Sequence, residues 1–253
     1  MKIVRFRHQG EERHGVLRDD VIQPITGSIF DAIETSSDKS AGVPLASVKL
    51  LAPVQPGKLV CVGLNYVLHA KESGVPMPDD PMLFMCSPQA IIGPDDVIVL
   101  DNANDRIDFE AEIAIVVGKR ARNVRAADAA QYILGYTCAN DVSNRDLQRK
   151  DGQFTRAKSF DTYKPLGPWI ETELDPDIQE IRLSQNGEIK QSSNTSDMIF
   201  STRYIFEFIS SIMTLEPGDV IITGTPSGVG PMKSGDCIEV EIPGIGRLSN
   251  TVA

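Results

Sequence analysis

The chain has 253 residues, 41% of them apolar and 24% charged, with a formal net charge of −10. That suffices for a sizeable hydrophobic core, and no lysine- or arginine-rich run offers a surface for nucleic acid or an anionic membrane. No apolar run reaches the ~20 residues of a membrane span, and the opening MKIVRFRHQG sets charges among its apolar residues, unlike a signal peptide. Cysteines stand at 61, 86, 138 and 237 with no CxxC pair. They read as reduced thiols of a cytoplasmic protein, each by default a small buried hydrophobe.

Residues 1–52 read as a small N-terminal α+β domain and 53–253 as the main domain. KIVRF and RHGVLRDDVIQPI predict short strands with a tight turn around Glu11 and Glu12, and SIFDAIETS predicts a short helix. The polar SSDKSAGVPLASV marks a boundary. Beyond it short β segments dominate, at 58–63, 82–85, 90–92, 97–100, 108–117, 134–142, 165–171, 178–185, 220–223 and 236–242. Helices are fewer. RAADAAQYI, ahead of Gly135, is one. STRYIFEFISSIMTLEPG is another, because Ile205, Phe208, Ile209, Ile212 and Met213 recur at helical spacing and Pro217-Gly218 ends the run. That stripe reads as core. Many strands with segregated helices predict a mainly β or α+β fold, not a doubly wound sheet.

In DFEAEIAIVVG, residues 108–118, strand alternation puts Asp108, Glu110 and Glu112 on one face and Phe109, Ala111, Ile113 and Ile115 on the other. Neighbouring glutamates repel, and burying either one unpaired is costly. Either this is an edge strand with a solvated acidic face, or a cation sits among the carboxylates. Asp141 ends an apolar strand in GYTCANDVSNRDLQRKD and is placed to meet Glu110 and Glu112. Three carboxylates are a hard, all-oxygen set that suits Mg²⁺, Mn²⁺ or Ca²⁺ rather than zinc or copper.

In GLNYVLHAKESG a helical turn brings His69 and Glu72 together at i and i+3. A carboxylate on one ring nitrogen orients an imidazole and raises its basicity, which makes a general base for water. The plainer alternative is a weak surface pair. Lys158, in FTRAKSFDTYKPLGPW, is either a stabiliser of an oxyanion or enolate or an ordinary exposed lysine. TGTPSGVG, residues 223–230, lacks the GK[ST] of a P-loop. It is a glycine-rich loop that admits close approach of a ligand, or a plain turn.

Together VGLNYVLHAKE, DFEAEIAIVVGK, GYTCANDVSNRDLQ, AKSFDTYKPLGPW and LEPGDVIITGTPSGVG resemble, in this order, the motifs of the fumarylacetoacetate hydrolase family, over most of 58–240. The first fifty residues match only loosely. The resemblance implies a mixed β-sandwich roll, usually a homodimer, with Mg²⁺ or Mn²⁺ on Glu110, Glu112 and Asp141. It implies a His69–Glu72 dyad that activates water, on a segment that orders as a lid. Lys158 would stabilise developing negative charge, with Gln148 near the same water or oxyanion. Arg145 and Thr225 match positions that contact a substrate carboxylate or carbonyl. There is one departure. Cys86, in PMLFMCSPQAIIGP, stands where many relatives have lysine. A thiol supplies no permanent positive charge, which argues against a substrate whose distal anion needs that lysine, unless Cys86 is simply buried.

The function these implications point to is hydrolysis of a C–C bond in a 2-oxo acid such as an acylpyruvate, through a metal-bound enolate. Decarboxylation of an oxaloacetate-like acid and isomerisation of a dienoate diacid are alternatives on the same site. A non-catalytic, metal-stabilised protein is a third, but it needs none of Lys158, His69 and Glu72.

Overall fold

A computed structural model of the chain describes residues 1–35 and 42–253. Its main strands are β1 (Lys2–His8), β2 (Glu11–Arg18), β3 (Val21–Thr26), β4 (Leu59–Gly63), β5 (Met82–Cys86), β6 (Ile107–Phe109), β7 (Ala111–Val117) and β8 (Ile133–Asn140). They continue with β9 (Lys164–Glu171), β10 (Glu180–Gln185), β11 (Glu188–Asn194), β12 (Val220–Ile222), β13 (Cys237–Ile242) and β14 (Gly246–Val252). The helices are α1 (Val67–Ser73), α2 (Arg145–Asp151), α3 (Thr155–Lys158) and α4 (Thr202–Ile212). No helix among the described residues is long and apolar enough to cross a membrane.

The largest sheet runs β3-β2-β1-β9-β8-β7-β12-β4-β5, with Glu34–Thr35 beyond β3. It is mixed: β12 lies parallel to β4 and antiparallel to β7. Lys2 pairs with Glu171 and Ile3 with Ile170, so the N-terminal strands extend the sheet of the main body. A second sheet, β14-β13-β10-β11 with Val97–Ile98 at its edge, packs against the first where β7 and β8 meet β10 and β13. Ile113, Ile115 and Val117 of one layer share a buried cluster with Leu183, Val240 and Leu248 of the other. The opposite face of β7, with Ala114 and Val116, packs on Leu59, Ile170 and Ile222. β7 is therefore apolar on both sides, as a strand covered on both faces must be. This is the mixed β-sandwich roll expected from the sequence.

Several local expectations change. The first turn is formed by Gln9 and Gly10, both with positive φ, and Glu11 already belongs to β2. SIFDAIETS forms no helix in its described part. It makes turns ahead of the strand Glu34–Thr35, and residues 36–41 of the adjoining boundary segment lie outside the described residues. RAADAAQYI is a 3₁₀ helix, Ala126–Gln131. α4 stops at Ile212, before Pro217-Gly218, and buries Ile205, Phe206 and Ile209 while Ile212 is 52% exposed. Strands β11 and β14 were not anticipated, because EIKQSSN and GRLSNTV lack a run of apolar residues.

Ile113 is fully buried in the interface between the sheets. Ile113→Ala leaves a cavity there and lowers unfolding stability by about 2–5 kcal/mol. Urea denaturation measures this, and a loss below about 0.5 kcal/mol contradicts the packing.

Candidate metal centre and active site

β6 and β7 are one run of chain broken at Glu110. Asp108 and Phe109 pair with Pro231 and Gly230 in a small third sheet, whereas Ala111 onward pairs with β8. The peptide groups at the break are satisfied locally, as buried backbone requires. Glu110 N–H donates to Asn140 Oδ1 at 2.9 Å, and the Glu110 carbonyl accepts from Asp141 N–H at 2.9 Å. Glu110 and Asp141 thus face each other where two strands leave the sheet together. Glu112 sits one pleat further on. The three carboxylates each offer an oxygen within 4.8 Å of the others. All three residues are buried, and so is Asp108. A solvated acidic edge is excluded, since β7 is flanked by β8 and β12.

Three cations meet this cluster, and the exposed Arg106 joins Asp108 from its edge at 2.8 Å. Lys158 Nζ lies 2.7 Å from Glu110 Oε2 and 2.7 Å from Asp141 Oδ2. It is 4% exposed, not an ordinary surface lysine. Lys164 Nζ lies 2.7 Å from Asp141 Oδ1 and donates to the carbonyls of Val142 and Tyr163. Arg145 pairs with Glu110 and, at 2.9 Å, with Asp108, and its Nη1 donates to Gln148 Oε1 at 2.9 Å.

The charge states follow. Burial would push the Glu110 carboxyl up, but Arg145 and Lys158 outweigh it and hold the group well below the usual range. Burial would lower Lys158, but Asp141 and Glu110 outweigh it and keep the ammonium charged. Glu112 differs. Burial pushes it up, and Asp141 and Glu110 push it further. Its one hydrogen-bond donor is the Gly224 N–H, and no Lys or Arg among the described residues pairs with it. Asp141 Oδ1 meets the Lys164 ammonium at 2.7 Å, a cation it shares with the carbonyls of Val142 and Tyr163. A buried carboxylate without a cationic partner, in an all-oxygen donor set, fits a hard divalent cation. Glu110, Glu112 and Asp141 are the residues that could hold it.

The cluster floors a cavity of about 830 Å³. His69, Glu72, Glu110, Glu112, Asp141, Arg145, Gln148, Lys158 and Thr225 all line it, so every candidate site residue named from the sequence is brought to one place. His69 and Glu72 come from α1, which ends at Gly74 in the left-handed conformation, φ 66°. His69 Nδ1 lies 3.0 Å from Glu72 Oε2, which leaves Nε2 for the cavity. Asn65, fully buried, anchors the approach to α1 by donating to the carbonyls of Phe200 and Thr223.

The glycine-rich loop ties these parts together. Gly224 N–H donates to Glu112, and Gly228 N–H donates to Glu72 at 3.1 Å. Both glycines are needed. Gly224 has φ +98° and a Cβ there would sit 2.6 Å from Asn65 Cβ; Gly228 has φ +95° and a Cβ would sit 2.3 Å from Lys190 O. The plain-turn reading of this loop is replaced by one in which its backbone amides hold two site carboxylates.

Cys86 lies outside the cavity, buried with its Sγ 3.7 Å from Cys61 Sγ. The apolar wall is instead Met82, Phe84 and Phe154, and Lys158 Nζ stands 5.1 Å from the Phe84 ring centroid. Residues the sequence reading missed are Lys164, Gln191 and the pairing role of Asp108. Lys164 carries a signal in hindsight: a lysine opening an apolar strand must find a partner if it is buried.

The family model described as "Fumarylacetoacetate (FAA) hydrolase C-terminal" matches residues 58–253, and one described as "Rv2993c-like, N-terminal" matches residues 1–53. The chain is 43% identical to the mitochondrial oxaloacetate tautomerase FAHD2A of Bos taurus over 223 residues, 83% of this chain and 71% of that one. The structure of 2-hydroxyhepta-2,4-diene-1,7-dioate isomerase from Mycobacterium marinum superposes with TM-score 0.92 at 42% identity, covering 100% of this chain and 98% of that one. Maleylpyruvate hydrolase from Sphingobium sp. SYK-6 superposes with TM-score 0.84 at 29% identity, covering 100% and 99%. By motif, fold and site, the chain belongs to the fumarylacetoacetate hydrolase family.

Proposed function

We propose that the chain is a divalent-metal-dependent enzyme that moves a proton on the carbon beside the carbonyl of a 2-oxo acid, as a tautomerase or isomerase. The observation that carries this reading is the pairing of an oriented base, His69–Glu72, with a buried ammonium, Lys158, in one cavity above the carboxylate cluster. Glu110, Glu112 and Asp141 would hold a divalent cation, which would supply Lewis-acid polarisation of the 2-oxo carbonyl and attraction for the adjacent carboxylate. His69 Nε2 takes the proton from C3, with Glu72 on Nδ1 stabilising the imidazolium that forms. Lys158, held charged by Asp141 and Glu110, favours the negative oxygen of the enolate. Return of the proton to oxygen gives the enol, and return to a distal carbon gives a shifted double bond. Arg145 and Thr225 hold the substrate carboxylate, and Gln148 carries the Arg145 guanidinium into place.

A second reading is hydrolysis of an acylpyruvate, in which the same His69 activates water against the distal carbonyl. The dyad suits it, and a maleylpyruvate hydrolase shares the fold. Proton transfer stands first here, ahead of the hydrolysis the motifs alone suggest. It needs no placed water, and relatives at 42–43% identity carry tautomerase and isomerase names.

Enol–keto exchange of oxaloacetate and pyruvate release from acetylpyruvate separate the two readings. Each is followed with Mg²⁺, Mn²⁺ or excess EDTA, beside blanks without enzyme. Metal-dependent exchange of oxaloacetate is expected. Pyruvate release alone establishes the hydrolase, and inactivity on both overturns the substrate class. His69→Ala lowers turnover on the active substrate by at least ~10²-fold, and wild-type turnover removes the dyad from the mechanism. Glu112→Gln removes a like charge from the cluster. It raises the thermal midpoint of the metal-stripped protein and abolishes the upward shift that Mg²⁺ or Mn²⁺ gives the wild type. A wild-type metal shift in that variant rules Glu112 out as a ligand.

A further inference from the structure

We infer that Gln191 is the positioning residue that fixes the Thr225 hydroxyl as a hydrogen-bond donor to the bound 2-oxo acid, an inference that rests on the substrate class proposed above. Gln191 is the one fully buried side chain of β11, a strand that is otherwise exposed or half-buried. A buried amide is costly unless each of its polar atoms is matched. If packing alone mattered, a methionine or leucine would fill the space without that requirement.

The amide is matched on both ends. Its Oε1 accepts from Ala111 N–H at 2.8 Å, in the link between Glu110 and Glu112. Its Nε2 donates to the Pro226 carbonyl at 2.8 Å and to Thr225 Oγ1 at 2.8 Å. These partners over-determine the orientation. A backbone N–H can only donate and a backbone carbonyl can only accept, so the amide cannot be turned over. Nε2–H therefore faces Thr225, and Thr225 Oγ1 is the acceptor in that bond.

A hydroxyl has one proton and turns it away from a donor. The Thr225 proton is thus unavailable to Gln191, and no acceptor among the described residues takes it. Thr225 is 3% exposed and lines the cavity beside the carboxylate cluster. The acceptor its proton can reach is an oxygen of a bound ligand. A carboxylate or enolate oxygen, rich in lone pairs and poor in protons, is the acceptor that this free proton suits best. Through Ala111 the same side chain fixes the distance between this donor and the chain that carries Glu110 and Glu112.

The test uses oxalate, a planar dianion with the two-oxygen face of a 2-oxo acid enolate, titrated by calorimetry into the Mg²⁺-loaded protein. Thr225→Val weakens oxalate about tenfold or more, the worth of a hydrogen bond to a charged acceptor. Thr225→Ser, which keeps the hydroxyl, binds within about threefold of the wild type by the same reasoning. Gln191→Glu keeps the acceptor for Ala111 N–H but loses the donor to Thr225, and weakens oxalate as much as Thr225→Val. The double variant is no weaker than either single one, because Gln191 acts through that hydroxyl. Equal binding by Thr225→Val and Thr225→Ser overturns the inference even if Gln191→Glu does not fold. Losses that multiply in the double variant overturn it too. A wild type that binds Mg²⁺ but not oxalate, and turns over neither 2-oxo acid, overturns the substrate class and the role of Gln191 with it.

Discussion

The structure depends on a charge problem solved inside a sheet. Glu110, Glu112, Asp108 and Asp141 are buried where two interior strands part, and four carboxylates cannot be ionised together there without compensation. Lys158, Lys164, Arg145 and the exposed Arg106 supply positive charges against them. Among the described residues no Lys or Arg pairs with Glu112, which is left with the Gly224 N–H and faces the cavity. A folded chain tolerates such a deficit where function requires it. That spot could seat a metal ion, and Glu110 and Asp141 keep Lys158 charged beside it.

The elements around the cluster serve that balance. α2 and α3 deliver Arg145, Gln148 and Lys158 from one short stretch of chain. β9 begins with Lys164 at the depth where Asp141 ends its strand. The glycine-rich loop touches Glu112 through Gly224 and Glu72 through Gly228, so the His69–Glu72 pair and the carboxylate cluster share one backbone segment as a ruler. Their separation is set by main-chain geometry, which is stiffer than any chain of side-chain contacts.

The parts of this arrangement that were legible in the sequence are those with a pattern. The long apolar alternation of β7, the helical spacing of His69 and Glu72, and the glycines of the loop each express local geometry. They point to the fold class and, with family resemblance, to nine of the residues that line the cavity. What was not legible depends on distant partners. Whether Lys158 is buried is decided by Glu110 and Asp141, far away in sequence. Gln191 sits on a strand of mostly exposed residues whose only inward side chain is polar, so no hydrophobic period announces it. SIFDAIETS has helical composition yet makes turns, because its apolar residues Ile29 and Phe30 are drawn singly into the core on the far side of the main sheet. Tertiary burial outweighed local propensity there.

The apolar wall of the cavity has a different status from its floor. Met82 and Phe84 belong to β5, the last strand of the large sheet, and Phe154 sits in the turn between α2 and α3. None of these three holds a charge, a strand register or a buried hydrogen bond that the cluster relies on. Over generations, replacements at such positions can pass without disturbing the ionic floor, while any change at Glu110 or Asp141 is felt by every partner at once. The wall of the cavity can therefore change shape while the ionic floor beneath it stays fixed. Proteins similar to this chain carry tautomerase, isomerase and hydrolase names, and such a wall is where chains of one frame can differ without rebuilding the floor.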